Sequence, residues 1–283
     1  MADYKALRGL TIRTIAGDPD PLLDGDIWYN SSSKKIKGVK LADAAFASSN
    51  NMNTGRDFMG CAGTQTATIT AGGEPPNTSK AEQYDGSSWT EVGDLVSGAR
   101  YGMRGFGSTT AGLICGGYPP TSGGTVTESW NGASWTEVSD LSQARYGLIG
   151  GGTSTAALAI AGFIGGPGAP SALVEEWNGA SWASGTSVNS ARGVAGAGVT
   201  DTENAIFFGG ATHPGTALKA LTEAWDGTSW TEVGDLGTAR AYVNGSGSDT
   251  SALCMGGGPG TAGGTATEEW TAATYSIKTV TTS

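Results

Sequence analysis

The chain has 283 residues, 48 of them glycine without a three-residue period, which excludes collagen. Charged residues make up only 15 %, while nine Trp, eight Tyr and six Phe supply core material, so neither a large helical protein nor a disordered chain fits. Residues 1–41 carry seven Lys/Arg against five Asp and leave the other 242 residues at −12, an acidic body that argues against binding to nucleic-acid phosphates.

From the N-terminus, no charged-then-apolar signal peptide is visible, and no apolar run approaches the ~20 residues of a membrane-spanning helix. The expectation is a protein made in a reducing compartment and not inserted into a membrane. Gly9–Ile15 alternates like a strand, and Asp24–Asn30 followed by Lys34–Leu41 reads as a hairpin. Residues 1–44 thus form a short β segment with its own role. Residues 45–52 look like an outer strand, because Phe46 lies ten residues before Arg56, as Trp182 lies before Arg192. That strand is predicted to complete the last repeat unit and close the ring, in competition with the tail Tyr275–Val280.

Beyond residue 45 the chain repeats itself. The segment Glu-x-aromatic-Asn/Asp-Gly-x-Ser-Trp starts at Glu82, Glu128, Glu175 and Glu223, with a degenerate copy at Glu268. An arginine keeps the same beat at positions 56, 100, 145, 192 and 240. A Gly pair or its relic follows each arginine, giving five units of about 46 residues. Each unit predicts four strands: a small first one, an apolar second one such as Gly112–Cys115 or Ala205–Phe208, a third carrying Glu-x-Trp, and a fourth beginning Ser-Trp. The Asn-Gly or Asp-Gly between the last two is a strong hairpin signal. Four short strands per evenly spaced unit predict an all-β, five-bladed β-propeller over 45–283. Small inner strands fit a crowded axis, and the paired Trp are expected to pack between blades. The recurring Arg and Glu read as scaffold, held by charge-assisted bonds.

Diglycine followed by an aromatic and, five residues later, a Trp, once per unit, is similar to the kelch repeat family, though with shorter aromatic spacing and less apolar inner strands. Kelch proteins have diverse functions, so the likeness implies the propeller and little more. The Gly25-Asp26-Ile27-Trp28-Tyr29-Asn30 segment resembles a short element near the N-termini of tailed-bacteriophage structural proteins. Together with a Gly/Thr/Ser-rich kelch-like array, it resembles virion proteins of marine phages, cyanophages among them. The resemblance implies a virion protein assembled in the host cytoplasm, with 1–44 docking on other virion proteins through Ile27, Trp28 and Tyr29.

Catalytic chemistry finds little support. The single histidine, His213, lies in a loop, and Cys61, Cys115 and Cys254 are scattered in apolar runs where they read as buried. One His and three dispersed Cys make no recognisable metal site. Glycosidases place two carboxylates across a substrate, and Asp57, Asp201, Glu203 and Asp249 supply no convincing pair. No catalytic residue, metal or cofactor is expected. Loops between second and third strands vary most, and Tyr118, Phe163 and His213 are their side chains best able to grip a sugar or protein. The expectation is a non-enzymatic virion protein, capable of forming a homo-oligomer, that displays its propeller for adhesion or decoration; a free lectin-like glycan-binding propeller is the alternative.

Overall fold

The computed structural model describes residues 12–20, 26–38, 49–119, 124–165, 168–213, 216–258 and 264–272, and none of these is helical. The chain separates into two compact units, 1–49 and 50–283.

In the first unit, β1 (Arg13–Ile15), β2 (Ile27–Asn30) and β3 (Lys35–Gly38) form one sheet, with β2 central, parallel to β1 and antiparallel to β3. Alternation along β2 turns Trp28 (5 % exposed) and Asn30 inward, while Ile27 (51 %) and Ile36 (65 %) of β3 face solvent. Asp18 ties the sheet together. It accepts from Asn30 Nδ2 at 2.8 Å and from Lys37 Nζ at 2.8 Å. Lys37 first and Asn30 second hold its carboxyl below the usual range.

The second unit is a succession of antiparallel sheets. The first contains β4 (Gly60–Thr64), β5 (Ala67–Ala71), β6 (Ala81–Tyr84) and β7 (Trp89–Val92). The second contains β8 (Arg104–Gly107), β9 (Gly112–Cys115), β10 (Thr127–Trp130) and β11 (Trp135–Glu137). The third has β12 (Ile149–Gly152) and β13 (Ala157–Ile160), then a small hairpin of β14 (Phe163–Ile164) and β15 (Ala169–Pro170), then β16 (Val174–Trp177) and β17 (Trp182–Ser184). The fourth repeats this plan with β18 (Gly196–Val199), β19 (Ala205–Phe208), a hairpin of β20 (Ala211–His213) and β21 (Thr216–Leu218), β22 (Thr222–Trp225) and β23 (Trp230–Glu232). The fifth shows three strands, β24 (Asn244–Gly247), β25 (Ser251–Met255) and β26 (Thr267–Thr271). The architecture is all-β and β-propeller-like.

The reason each unit folds this way is local. The carboxylate or amide of Asp85, Asn131, Asn178 and Asp226 accepts the backbone N–H groups two and three residues on, and a glycine at positive φ follows each. That chemistry sets the turn between third and fourth strands and brings Trp130 opposite Trp135, Trp177 opposite Trp182 and Trp225 opposite Trp230. The paired rings lie 5.2–5.3 Å apart. They also cover the neighbouring sheet: Trp130 and Trp135 pack with Ala62 and Ile69, and Trp225 and Trp230 with Leu158 and Ile160. Burying such rings supplies much of the stabilisation between sheets. Inner strands approach so closely that a Cβ on Gly105 would overlap the Cys61 backbone, and one on Gly245 the Ala197 backbone.

The repeated Arg and Glu are internal ties. Arg56–Glu82, Arg100–Glu128, Arg145–Glu175, Arg192–Glu223 and Arg240–Glu268 pair at 2.5–3.2 Å. Each Glu also accepts backbone N–H groups from the segment that leads into its own sheet, for example Asn53 to Glu82 and Ser142 to Glu175.

Of the predicted closing strand 45–52, residues 45–48 lie outside the described residues, as does the tail 275–280. Residues 49–52 are not in a strand. Asn50 and Asn53 donate to the Ser87 and Trp89 carbonyls, as Thr186 and Asn189 donate to those of Thr228 and Trp230. Residues 50–53 therefore reproduce the linker that elsewhere follows an outer strand.

Candidate functional site

Immediately before each inner strand the chain takes a left-handed step, at Phe58, Gly102, Gly147, Val194 and Tyr242, with φ between +49° and +69°. Only two of these are glycine, and a left-handed β-branched or bulky residue costs about 1–3 kcal/mol unless its surroundings impose it. The imposing contacts are backbone bonds between successive sheets. Gly102 N–H donates to Phe58 O, Gly147 to Gly102, Val194 to Gly147 and Tyr242 to Val194, at 2.7–2.9 Å. The Phe58 and Tyr242 rings meet edge to face at 6.3 Å, linking the first and fifth sheets.

These five steps surround a cavity of about 310 Å³. Every sheet contributes to its wall, from Phe58 and Met59 through Met103, Leu148, Ile149 and Ala195 to Tyr242 and Asn244. Its size falls at the lower end of small-ligand pockets.

Beside the cavity runs an arc of aromatic rings. Tyr101 and Tyr118 lie 5.3 Å apart, Tyr118 and Tyr146 5.2 Å, and Tyr146 and Phe163 5.7 Å. The backbone sets this spacing, since Tyr101 pairs with Tyr118 and Tyr146 with Phe163 in isolated antiparallel bridges. Tyr101 and Tyr146 precede the cavity-lining Gly102 and Gly147, so the arc adjoins the cavity wall. Burial, then Glu74 and the neighbouring phenols, pushes the Tyr101 hydroxyl above its ordinary pKa; burial, then Tyr118 and Tyr242, does the same at Tyr146. Both phenols are neutral donor–acceptors at physiological pH.

The sequence-predicted contacts separate. Tyr118 is half-buried at the centre of the arc. Phe163 is a correction: it is fully buried, packed against Gly147, Gly193 and Tyr146, so it anchors the arc from beneath and offers no ligand contact. His213 is exposed on β20 opposite Thr216. Of the N-terminal trio, Ile27 is exposed and Tyr29 half-buried, but Trp28 is buried and cannot dock on a partner as it stands. Cys115 and Cys254 are buried as expected, whereas Cys61 is exposed on β4.

Sequence reading missed Phe58, Tyr101, Tyr146 and Tyr242. A signal existed: Arg-Tyr-Gly recurs at 100–102 and 145–147, next to the scaffold arginine. The candidate acids do turn and backbone duty. Asp201 accepts from the Glu203 and Asn204 N–H groups, and Asp57 bridges to Glu74 through the backbone. Among the described residues no group of three His, Cys, Asp or Glu could hold a metal ion.

No family model and no curated protein matches the chain. The solved structure of YjhT superposes with a TM-score of 0.63 at 18 % identity, covering 89 % of this chain and 93 % of that one. At this identity the likeness carries the fold alone, and it places the chain beside a solved protein of similar all-β architecture.

Proposed function

We propose that this is a non-enzymatic bacteriophage virion protein whose five-bladed, kelch-like propeller is displayed outward and binds a host-surface glycan. The observation that carries the binding reading is the arc Tyr101–Tyr118–Tyr146 beside the axial cavity. Phenol rings on a rigid scaffold offer flat apolar faces to sugar C–H groups and hydroxyls that donate and accept, at low entropic cost. A binding rather than catalytic role is further supported by the Arg and Glu of every repeat, which are already occupied with one another. The particle role rests on the resemblance of residues 25–30 to phage structural proteins, and on the outward apolar residues Ile27 and Ile36. Many copies on a particle multiply weak individual contacts by avidity. The same arc equally favours a second reading, a free glycan-binding propeller without particle attachment.

A glycan array probed with the full chain, and with Tyr118→Ala and Tyr146→Ala, tests the binding site. Binding that both substitutions abolish supports the arc; an empty array, or binding that ignores both, refutes it. Light scattering and particle co-sedimentation with Ile27→Asp/Ile36→Asp test docking, which should be lost while glycan binding stays. If the unaltered chain neither self-associates nor sediments with particles, the free-lectin reading replaces the virion one.

A further inference from the structure

The five left-handed steps around the axial cavity are not alike. Phe58, Val194 and Tyr242 carry side chains there, at φ of +53°, +49° and +57°, whereas Gly102 and Gly147 carry none. The backbone does not demand glycine at this step, because three sheets take it with bulky or β-branched residues. What glycine provides is space. The Phe58 and Tyr242 rings meet at 6.3 Å and fill one part of the circuit of steps, while Gly102 leaves another part open. A Cβ on Gly102 would stand 3.5 Å from the backbone N of Gly147 and 3.6 Å from Tyr146 Cβ, ordinary contacts in which nothing has to move. On Gly147 the same atom would press on Val194 Cγ1 at 3.1 Å. The space over Gly102 thus lies between the cavity wall and Tyr146 of the aromatic arc.

The cavity beside this gap is apolar at depth. Of the residues that line it, Met103, Leu148, Ile149, Ala195 and Val243 are buried, and none has a strong side-chain donor or acceptor. Tyr242 is half-buried and Asn244 exposed, so the polar side chains of the wall belong to its solvated part. Among the described residues no charged side chain lines it. The carbonyls of Phe58, Gly102, Gly147 and Val194 already accept from the N–H of the next step. A hydroxyl pushed into the depth of this cavity would give up water for no partner, a penalty that a methyl group does not incur.

We propose that Gly102 is the specificity-determining position of the binding site, and that the sugar it admits is a 6-deoxyhexose. The proposal rests on the glycan-binding reading above and narrows it to sugars whose C5 substituent is methyl, not hydroxymethyl. The sugar ring lies on the tyrosine arc, and its methyl edge passes over Gly102 into the cavity of about 310 Å³. The methyl group gains from leaving water at an aliphatic wall, where the O6 hydroxyl of the parent hexose loses its hydrogen bonds. The ring hydroxyls stay at the arc, whose phenols donate and accept. A wall without charge disfavours uronic and amino sugars for the same reason, since an ion moved to its depth would find no counter-charge.

The test is calorimetric titration of the full chain with matched pairs of sugars that differ only in the O6 hydroxyl, repeated on Gly102→Asn and Tyr118→Ala. The pairs are L-rhamnose with L-mannose, L-fucose with L-galactose, and D-fucose with D-galactose. At least one deoxy sugar should bind about fivefold or more tightly than its partner, the effect of sparing one unpaired hydroxyl. Gly102→Asn fills the gap with a residue that tolerates a left-handed φ, so it should erase that preference while circular dichroism stays unchanged. Tyr118→Ala should weaken both members of the pair alike. If Gly102→Asn does not fold, the unaltered protein decides: the deoxy sugar should show the more negative heat-capacity change of its pair, the mark of methyl burial, and equal changes overturn the proposal. Equal affinity within every pair, or tighter binding of the hexoses, overturns it too, as does a folded Gly102→Asn that keeps the preference; in these cases loss of binding in Tyr118→Ala leaves the aromatic reading standing. Absence of binding to all of these sugars overturns the proposal, and an empty glycan array would then overturn the aromatic reading separately.

Discussion

Replacing Glu175 with glutamine is the sharpest test of the repeated ion pair. The side chain is 1 % exposed and its partner Arg145 is fully buried. Its carboxylate accepts from Arg145 Nη2 at 2.7 Å and from the Ser142 N–H at 2.8 Å. Glutamine keeps the shape but turns one acceptor into a donor and leaves Arg145 charged without a counter-ion. Breaking a buried pair in this way costs about 3–5 kcal/mol. Arg145 retains bonds to the Ala161 and Leu173 carbonyls, both at 2.8 Å, which places the cost near the lower end. For a chain of this length about 3 kcal/mol corresponds to a fall in Tm of roughly 6–9 °C, read by calorimetry or circular dichroism. Adding Arg145→Met removes the stranded charge, while the introduced glutamine can still accept from Ser142, so the double variant should be more stable than Glu175→Gln alone. A single-variant cost below about 1 kcal/mol, or a double variant less stable than the single, would refute the idea that the pair acts as a coupled scaffold tie.

Three other outcomes follow from the same geometry. Gly105→Ala forces a Cβ into the Cys61 backbone and should cost about 3 kcal/mol in urea denaturation, whereas Gly55→Ala, with nothing within 4 Å, should stay within about 0.5 kcal/mol. In maleimide labelling followed by mass spectrometry, Cys61, open on β4 but with its thiol held above the ordinary range by the burial around it, should react slowly in the native protein, while Cys115, buried with its thiol pushed up to about 12, reacts only on unfolding. Tyr101 and Tyr146 have raised folded pKa values, so the stability they contribute is complete below the unfolded value and lost as pH rises through the folded one. Urea midpoints should therefore fall as pH rises above about 10, and less steeply in Tyr101→Phe/Tyr146→Phe.

Much of the scaffold was legible because it rests on short-range chemistry repeated five times. Asn131-Gly132 announces its own turn, and β10 and β11 with their facing Trp130 and Trp135 follow from it. The repeated Arg and Glu could be read as scaffold from recurrence alone, because five identical positions in one chain seldom share one ligand. What the sequence could not convey is which side chains of different units meet. Tyr118 and Phe163 stand at corresponding places in consecutive units and look equally available, yet one is half-exposed at the centre of an arc and the other is sealed beneath Tyr146. That difference depends on how one sheet covers the next. Trp28 is similar: it sits between two outward residues, and only the pairing of β2 with β1 and β3 decides which face is buried. Local turn chemistry and recurrence determine the strands; packing between sheets, which joins residues far apart in the chain such as Tyr118 with Tyr146 and Gly102 with Gly147, decides which groups are left to bind a ligand.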